Sequence, residues 1–304
     1  MNQSTAVPPY KRYARSFFLA LCLLQSASYA CASQDLTEIR RMAEQGDVEA
    51  QLNLADSYSK GESVTMDAQQ AAVWYRKAAE QGNAKGQSKL GACYAYGAGL
   101  PKDAKQAVVW FRKAAEQGYA KAQVNLGMQY FTGGGVAKDW KQAVVWFRKA
   151  AEQGDASAQS LLGGLYGLGE GGIAKDAKQA GFWYRKAAEQ GDASAQSSLG
   201  NIYAEGEGVP QDYKQAVFWY RKAAEQGTVD AQSFLGFSYA NGKGVPQDYK
   251  QAYVWFSVAA ANGDFSVSEF RDRAAKQLSK TQLADAQELA GNYFKQYQPQ
   301  NGFR

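Results

Sequence analysis

The chain has 304 residues, which is more than one hydrophobic core usually serves, so several packed units are expected. Hydrophobic residues make up 45% and charged residues 21%, a balance that excludes general disorder. The chain has no histidine, so it lacks the commonest general base and the commonest transition-metal ligand. Three cysteines are too few for a disulfide framework or a four-cysteine zinc site, and we predict no cofactor and no bound metal. A net charge of +5 is too small to indicate a dedicated nucleic-acid-binding protein.

Residues 1–32 have the features of a secretory signal peptide. Three basic residues come first: Lys11, Arg12 and Arg15. The apolar run 17–24 follows, and it is far shorter than the roughly 20 residues that span a bilayer. We place the cleavage after Ala32, with Ala30 as the alternative, and predict a periplasmic or secreted protein without a membrane span.

The cysteines leave two alternatives open. Cys31 could instead become a lipidated N-terminal residue, but we expect no lipid anchor because Ser28 stands where lipoprotein signals usually have leucine. Cleavage leaves Cys93 as the last cysteine of the mature chain. We predict that Cys93 is buried and inert, since free cysteine is among the most buried residue types; pairing between two chains is the alternative, and the oligomeric state stays open.

A repeat of 36 residues dominates the rest of the sequence. The segment Arg-Lys-Ala-Ala-Glu-Gln-Gly ends at Gly82, Gly118, Gly154, Gly191 and Gly227. Tryptophan follows the same spacing at Trp74, Trp110, Trp146, Trp183, Trp219 and Trp255. A fixed period of this length is typical of stacked repeat architectures, and we count six repeats.

Each repeat is predicted to contain two helices. The first carries Ala-Gln-x-x-Leu-Gly-x-x-Tyr and ends at a glycine, which enters the left-handed conformation without strain. These glycines are Gly61, Gly97, Gly133, Gly169, Gly206 and Gly242. The second begins with Asp and Gln three residues apart, for example Asp103 and Gln106, which predicts a reciprocal capping box. Trp110 and Phe111 lie on its predicted buried face.

The two ends differ from the repeats. We divide the chain into the signal peptide 1–32, an N-terminal capping helix in 33–46, the six repeats in 47–264, and C-terminal capping helices with a tail in 265–304. The last region is predicted to form helices over about 266–278 and 280–296, the second capped by Ser279 with Gln282. One repeat has an extra residue in the glycine-rich loop 170–173, where we expect an insertion to leave the packing undisturbed.

The order Leu-Gly-x-x-Tyr-x-x-Gly-x-Gly-Val, Asp, Ala-x-x-Trp, Lys-Ala-Ala, Gly resembles the Sel-one-like repeat family, a relative of the tetratricopeptide repeat. The resemblance covers residues 43–264. It implies an all-α fold, a right-handed α-solenoid of six 36-residue helix-turn-helix repeats with N- and C-terminal capping helices. It also implies an exported protein–protein interaction scaffold of the bacterial envelope, without enzymatic activity.

An envelope hydrolase is the alternative function. One branch of the family, the cysteine-rich proteins of Helicobacter, is associated with β-lactamase activity, but the cysteine pair of that branch is missing from every repeat here. Ser57 and Lys60 have the spacing of a serine β-lactamase nucleophile and its lysine, yet the companion motifs are absent. We interpret this match as chance.

Two further patterns have structural interpretations. The repeated Arg-Lys pairs alternate with glutamate and glutamine, so we interpret them as a solvated face and predict no nucleic-acid binding. Trp140 is the tryptophan that departs from the repeat spacing. It is either a local staple at a helix start or an exposed contact.

The partner, a protein or peptide of unknown identity, is expected on the concave surface lined by the first helices. By analogy with tetratricopeptide geometry, positions that vary between repeats and face this groove should select it. The candidate residues are Lys85, Tyr96, Lys121, Met128, Phe131, Asn201, Glu205, Asp230, Phe237 and Asn241. Among them Tyr96, Met128, Phe131 and Phe237 are large where the fold needs nothing large, as binding anchors are, although each could instead pack against a neighbouring helix.

Overall fold

A computed structural model of the chain describes residues 36–298. Helices joined by short loops make up this part of the chain, which contains no strand, so the all-α prediction is confirmed. The predicted signal peptide, Cys31 and both cleavage points lie outside the described residues.

The helices alternate as the repeat predicts. Helix α1 spans residues 36–44 and precedes the first repeat. The first helix of each repeat, called the A helix, is α2 (Val48–Lys60), α4 (Ala84–Tyr96), α6 (Ala120–Thr132), α8 (Ala156–Leu168), α10 (Ala193–Glu205) or α12 (Val229–Asn241). The second, called the B helix, is α3 (Ala68–Glu80), α5 (Ala104–Glu116), α7 (Trp140–Glu152), α9 (Ala177–Glu189), α11 (Tyr213–Glu225) or α13 (Tyr249–Ala261). A 3-10 turn (Phe265–Val267), α14 (Ser268–Ala275) and α15 (Lys280–Gln296) follow.

The described residues form two compact units, of which one ends at Ala122 and the other begins at Gln123. In the first unit the repeated leucines of the A helices, Leu54 and Leu90, are fully buried beside Trp74 and Tyr75. In the second unit a tryptophan packs between its own A helix and the paired alanines of the preceding B helix, as Trp219 does. Within a unit, a repeat therefore contributes to the core of the one before it.

An aspartate begins every B helix, but the predicted capping box is only half formed. The Asp103 carboxylate accepts the backbone N–H groups of Lys105 and Gln106 at 2.9 and 3.0 Å. The backbone N–H of Asp103 donates instead to the carbonyl of Tyr94 at 2.9 Å, as do its equivalents in the other repeats. Because the tyrosine carbonyl already occupies this N–H, the Gln106 side chain is not needed there, and the reciprocal prediction was wrong.

The glycine that follows the repeated leucine lies under an aromatic ring of the B helix. A Cβ at Gly200 would lie 2.4 Å from Tyr220 Cε1, and a Cβ at Gly127 would lie 2.6 Å from Phe147 Cε1. No side chain fits at these distances, so glycine sets how closely the two helices of a repeat approach. The glycines predicted to end the A helices also behave as expected, with φ between 65° and 82°.

A buried glutamine in each A helix bonds to the side-chain amide that follows the B helix of its own repeat, and Gln196 also bonds to the preceding B helix. Gln196 is 3% exposed, and its amide nitrogen donates to the carbonyl of Ala188, at the end of α9, at 3.1 Å. Its amide oxygen accepts from Gln226, which follows α11, at 2.8 Å. The same amide pair recurs as Gln51 with Gln81, Gln87 with Gln117, Gln123 with Gln153, Gln159 with Gln190, and Gln232 with Asn262. We call these hydrogen bonds the glutamine ladder.

The Arg-Lys pairs of the B helices lie on an exposed face, as predicted, and they also make contacts that the sequence analysis did not predict. Arg76 donates to the hydroxyl of Tyr94 in the next A helix at 2.8 Å. The neighbouring Lys77 places its ammonium 3.8 Å from the ring centroid of Trp74. The same arginine contact joins Arg40 to Tyr58, Arg148 to Tyr166, Arg185 to Tyr203, and Arg221 to Tyr239. The arginines therefore join successive repeats, and the lysines cover the tryptophans of their own helices.

The C-terminal helix covers the last repeat. The capping box predicted at Ser279 and Gln282 is present, and α15 runs along α13 to Tyr297. The Tyr297 ring stacks on Trp255 at 5.9 Å between centroids. The backbone carbonyl of Tyr297 accepts hydrogen bonds from Gln232 at 3.1 Å and from Asn262 at 3.3 Å. The last amide pair of the glutamine ladder is therefore bonded to a backbone carbonyl of the C-terminal segment.

Two glycine-to-alanine changes should have opposite effects. Gly200→Ala places a methyl group against the Tyr220 ring and should lower the free energy of unfolding by about 1–3 kcal/mol. Gly291→Ala in α15, where a Cβ meets nothing within 4 Å, should raise it by about 0.5–1 kcal/mol. Urea unfolding followed by circular dichroism measures both. Equal effects would contradict the close approach of α10 to the Tyr220 ring.

Removing one amide of the glutamine ladder should destabilise the chain. Gln196→Met keeps the volume but removes the hydrogen bonds to the Ala188 carbonyl and from the Gln226 amide, so the free energy of unfolding should fall by about 0.5–1.5 kcal/mol per bond. Gln211→Met is the control, because Gln211 is exposed and its amide bonds to Ala204 of α10 and Tyr213 of α11, both in its own repeat. If Gln211→Met lowered the free energy of unfolding as much as Gln196→Met, the glutamine ladder would have no special contribution to stability.

Candidate functional site

The candidate residues divide between the two units. Lys85, Tyr96 and Lys121 belong to the first unit, and the other seven belong to the second. Tyr96 is 80% exposed. Four more are exposed: Lys121, Glu205, Asp230 and Asn241. Five are half-buried: Lys85, Met128, Phe131, Asn201 and Phe237.

Four of the candidates meet around one cavity of about 290 Å³ in the second unit. They are Asn201 and Glu205 of α10 with Phe237 and Asn241 of α12. Tyr220, Phe234 and Lys243 also line this cavity. The cavity therefore combines aromatic walls with one carboxylate, one ammonium and two amides, which suits a peptide better than a purely apolar ligand.

The tyrosine at this cavity is a hydrogen-bond donor. The Tyr220 hydroxyl donates to Asn201 Oδ1 at 2.7 Å. Burial, and then the charge of Glu205, raise the pKa of Tyr220 above its usual value, so the hydroxyl keeps its proton. Asn201 is thereby oriented by the fold, and its amide nitrogen is the group that a ligand can use.

Phe237 has a packing role as well as a position at the cavity. Its ring lies 5.0 Å from that of Phe256 and 4.8 Å from that of Phe270, both edge-on. Its truncation would disturb the C-terminal packing, so it is a poor residue with which to test binding. Lys121, Met128 and Asp230 line neither this cavity nor the one at Phe131.

Phe131 lies beside a second cavity, of about 340 Å³, that sequence reasoning missed. Its other walls come mainly from α8, through Leu161, Gly164 and Leu168, and from Tyr184 of α9. The available signal was the pair of glycines at 163 and 164, where each of the other repeats has at most one at these two positions.

Trp140 packs against the loop that carries the extra residue, a contact that the sequence analysis did not predict. Its ring centroid lies 4.9 Å from that of Phe131, and a Cβ at Gly171 would lie 2.3 Å from the indole. The indole is half-buried, and its N–H has no hydrogen-bond partner in the described structure. The two irregularities of the sequence, the displaced tryptophan and the extra glycine, are therefore in contact, and packing describes Trp140 better than open exposure.

In the first unit, Lys85 belongs to a charged cluster around Asp56. The Asp56 carboxylate accepts the Tyr75 hydroxyl at 2.5 Å and lies 3.3 Å from Lys85 Nζ and 3.6 Å from Lys89 Nζ. Burial raises the pKa of Asp56, but the Tyr75 hydrogen bond and the two lysines outweigh it and hold that pKa below its usual value. Lys85 is therefore partly engaged within the protein.

Ser57, Lys60 and Cys93 line neither of these two cavities. The Lys60 ammonium is 3.6 Å from Glu62 Oε1, where the β-lactamase pattern would pair it with Ser57. Cys93 is buried, as predicted, and burial raises the pKa of its thiol. Within residues 36–298, no group of three or more histidine, cysteine, aspartate or glutamate side chains is placed to hold a metal ion. In the same range no helix is both long enough and apolar enough to cross a membrane.

Replacing Asp56 should change how stability depends on pH. Asp56→Asn removes a carboxylate whose pKa is lowered in the folded chain, so the variant should be less stable at pH 7, where a hydrogen bond to a charged group contributes about 1.5–3 kcal/mol. The difference should shrink as the pH falls below about 4, where Asp56 protonates in the unfolded chain, and should close once the pH is below the lowered pKa of Asp56 in the folded chain. Denaturant unfolding at several pH values measures it. A difference that is the same at pH 3 and pH 7 would exclude this contribution.

Comparison with known proteins agrees with this architecture. A family model described as Sel1 repeat matches residues 48–83, 84–119, 120–155, 156–192, 193–228 and 229–264. No curated protein matched the chain.

Two solved structures are similar over most of the chain. A Sel1 repeat protein from Oxalobacter formigenes is 38% identical, with a TM-score of 0.66 over 71% of this chain and 88% of that one. A protective antigen of uropathogenic Escherichia coli, which displays an SLR fold, is 36% identical with a TM-score of 0.57. That match covers 86% of this chain and 64% of the antigen, so this chain spans less than two thirds of the antigen's length. The fold is an α-solenoid, and the chain belongs to the Sel1 repeat family.

Proposed function

We propose that the chain is an exported, non-enzymatic scaffold that binds a protein or peptide along the exposed face of its A helices. Sel1 repeat proteins are generally protein–protein interaction scaffolds. The observation that carries the proposal is the cavity at α10 and α12, where Asn201, Glu205, Phe237 and Asn241 meet. All four stand at positions that differ from repeat to repeat.

The repeated and the variable positions of an A helix have different roles, which supports this proposal. The repeated leucine, glycine, glutamine and tyrosine are used inside the fold, as Leu199, Gly200, Gln196 and Tyr203 are in α10. The positions that vary are left at the surface or at a cavity. A scaffold needs this separation, because its partner-selecting residues must change without loss of the fold.

The A helices of the second unit have an acidic character that bears on the partner. Helices α8, α10 and α12 contain Glu205 and Asp230 but no lysine or arginine. A partner segment with basic residues would therefore be attracted to this face, mainly through its rate of association and its register. Export is proposed on the signal-peptide features of residues 1–32, and it places the partner in the bacterial envelope or outside the cell.

Site-specific photocrosslinking tests the proposal. A benzoylphenylalanine at Glu205, at the mouth of the cavity, should form a discrete covalent adduct with a second protein in the bacterium that produces the chain. The same probe at Glu189, exposed at the end of B helix α9, is the matched control and should form none. Mass spectrometry of the adduct identifies the partner. Adducts of equal yield at both positions, or none at Glu205, would contradict binding on the A-helix face.

A further inference from the structure

The B-helix aromatic ring that packs beneath the residue after the repeated leucine has two flanking positions on the A-helix face. One flank comes from the same repeat, two residues after the repeated leucine, and the other from the next A helix, one residue before its leucine. For Tyr220 these are Asn201, which accepts its hydroxyl at 2.7 Å, and Phe234, which stacks on its ring at 4.9 Å. For Tyr75 they are Asp56, which accepts its hydroxyl at 2.5 Å, and Lys89, whose ammonium lies 5.7 Å from its ring centroid.

The same arrangement recurs at the end of the second unit. Phe256 is flanked by Phe237 at 5.0 Å and by Phe270 of α14 at 6.0 Å. The consequence is burial of the central ring, which is 3% exposed at Tyr75, 4% at Tyr220 and 0% at Phe256. Two flanking side chains therefore close each ring off from solvent.

The fourth repeat breaks this rule. Its ring is Tyr184, and its two flanks are Gly164 and Ser198, both small. Tyr184 is only half-buried, and the cavity of about 340 Å³ lies where the flanking side chains would be. Space is available there, because a Cβ at Gly164 would approach only the Tyr184 hydroxyl, at 3.4 Å. We call this gap the Tyr184 notch, and Phe131, Leu161 and Leu168 form its apolar rim.

We propose that the Tyr184 notch binds an aromatic side chain of a partner protein segment that carries lysine or arginine next to it. This inference rests on the proposed function and names the partner side chain that would be inserted into the scaffold. The notch is continuous with the interface between successive repeats, and the chain's own phenylalanines fill the matching space elsewhere, Phe234 at Tyr220 and Phe270 at Phe256. A phenylalanine or tyrosine from a partner would complete the same packing.

Charge complementarity supports a lysine or arginine next to the inserted aromatic residue of the partner. The Ser160 hydroxyl, which lines the notch, donates to the carboxylate of Asp192 at 3.2 Å. None of the residues that line the notch carries a positive charge, and helices α8 and α10 contain no lysine or arginine. A lysine or arginine beside the inserted ring can therefore pair with Asp192 at the edge of an otherwise apolar site.

The test uses a synthetic peptide of sequence Gly-Lys-Lys-Phe-Lys-Gly, labelled with fluorescein, and its twin with alanine in place of phenylalanine. Fluorescence anisotropy with the purified protein should give a Kd below about 1 mM for the phenylalanine peptide. The alanine twin should bind at least tenfold more weakly. Raising the salt from 50 to 500 mM should weaken binding several-fold, because the lysines act through charge.

Variants at the notch locate the binding. Ser198→Phe supplies the missing flanking side chain from within the protein, as Phe234 does at Tyr220. It should therefore raise the Kd of the phenylalanine peptide at least tenfold without lowering the melting temperature. Ser198→Ala is the matched control, since it keeps the notch open and should leave the Kd within twofold. Gly164→Met fills the notch from the other flank, where repeat three has Met128, and gives a second test if Ser198→Phe folds poorly. Asp192→Asn, which can still cap α10, should reduce the salt dependence.

Equal binding to the wild type and to both filled variants would overturn the proposal, as would equal binding of the two peptides or no binding at 1 mM. Dimerisation in sedimentation experiments that Ser198→Phe abolishes would assign the notch to a second copy of the chain, and would overturn the proposed partner. Peptide binding at the notch without any adduct from Glu205 would refute the proposed function and leave this inference standing. The reverse result would refute the inference alone.

Discussion

The side-chain amide buried in each A helix is the interaction on which the stacking of repeats depends. Gln196 bonds at once to the end of one B helix through Ala188 and to the end of the next through Gln226. A buried amide is costly unless its donor and its acceptor are both paired, so this geometry tolerates little change in the spacing of the two helix ends. The ladder thereby fixes the position of each repeat relative to its neighbour within a unit.

Because glutamine, glycine, leucine and tyrosine are all occupied by internal contacts, sequence freedom is confined to the remaining face of the A helix. Asp56, Asn201, Gly164 and Phe237 stand at the same position in four repeats, and each matches the ring beneath it. An acceptor meets a tyrosine hydroxyl at Asp56 and Asn201, and an apolar side chain meets a phenylalanine at Phe237. Gly164 has no side chain to contact its ring, Tyr184, and so leaves space for another molecule.

Periodicity was enough to predict the helices, their glycine ends and the capping box at Ser279, because each depends on residues close together in the chain. Contacts between repeats were harder to predict. The sequence contains Arg76 and Tyr94 as plainly as the structure does, but nothing local indicates that an exposed-looking arginine reaches a tyrosine 18 residues later. The Tyr184 notch was missed for the same reason: its two flanks lie 34 residues apart, at Gly164 and Ser198, and become neighbours only when the repeats stack.

The way the ladder ends has a consequence for how such a chain can grow. Inside the array each repeat offers the same donors on one side and the same acceptors on the other, so a duplicated 36-residue gene segment would meet partners it already fits. After the last repeat, the carbonyl of Tyr297 occupies the site where another repeat would attach. Lengthening at that end would require α15 to leave first. Copy number in this chain can therefore change by internal duplication or loss far more readily than by extension at its C-terminal end.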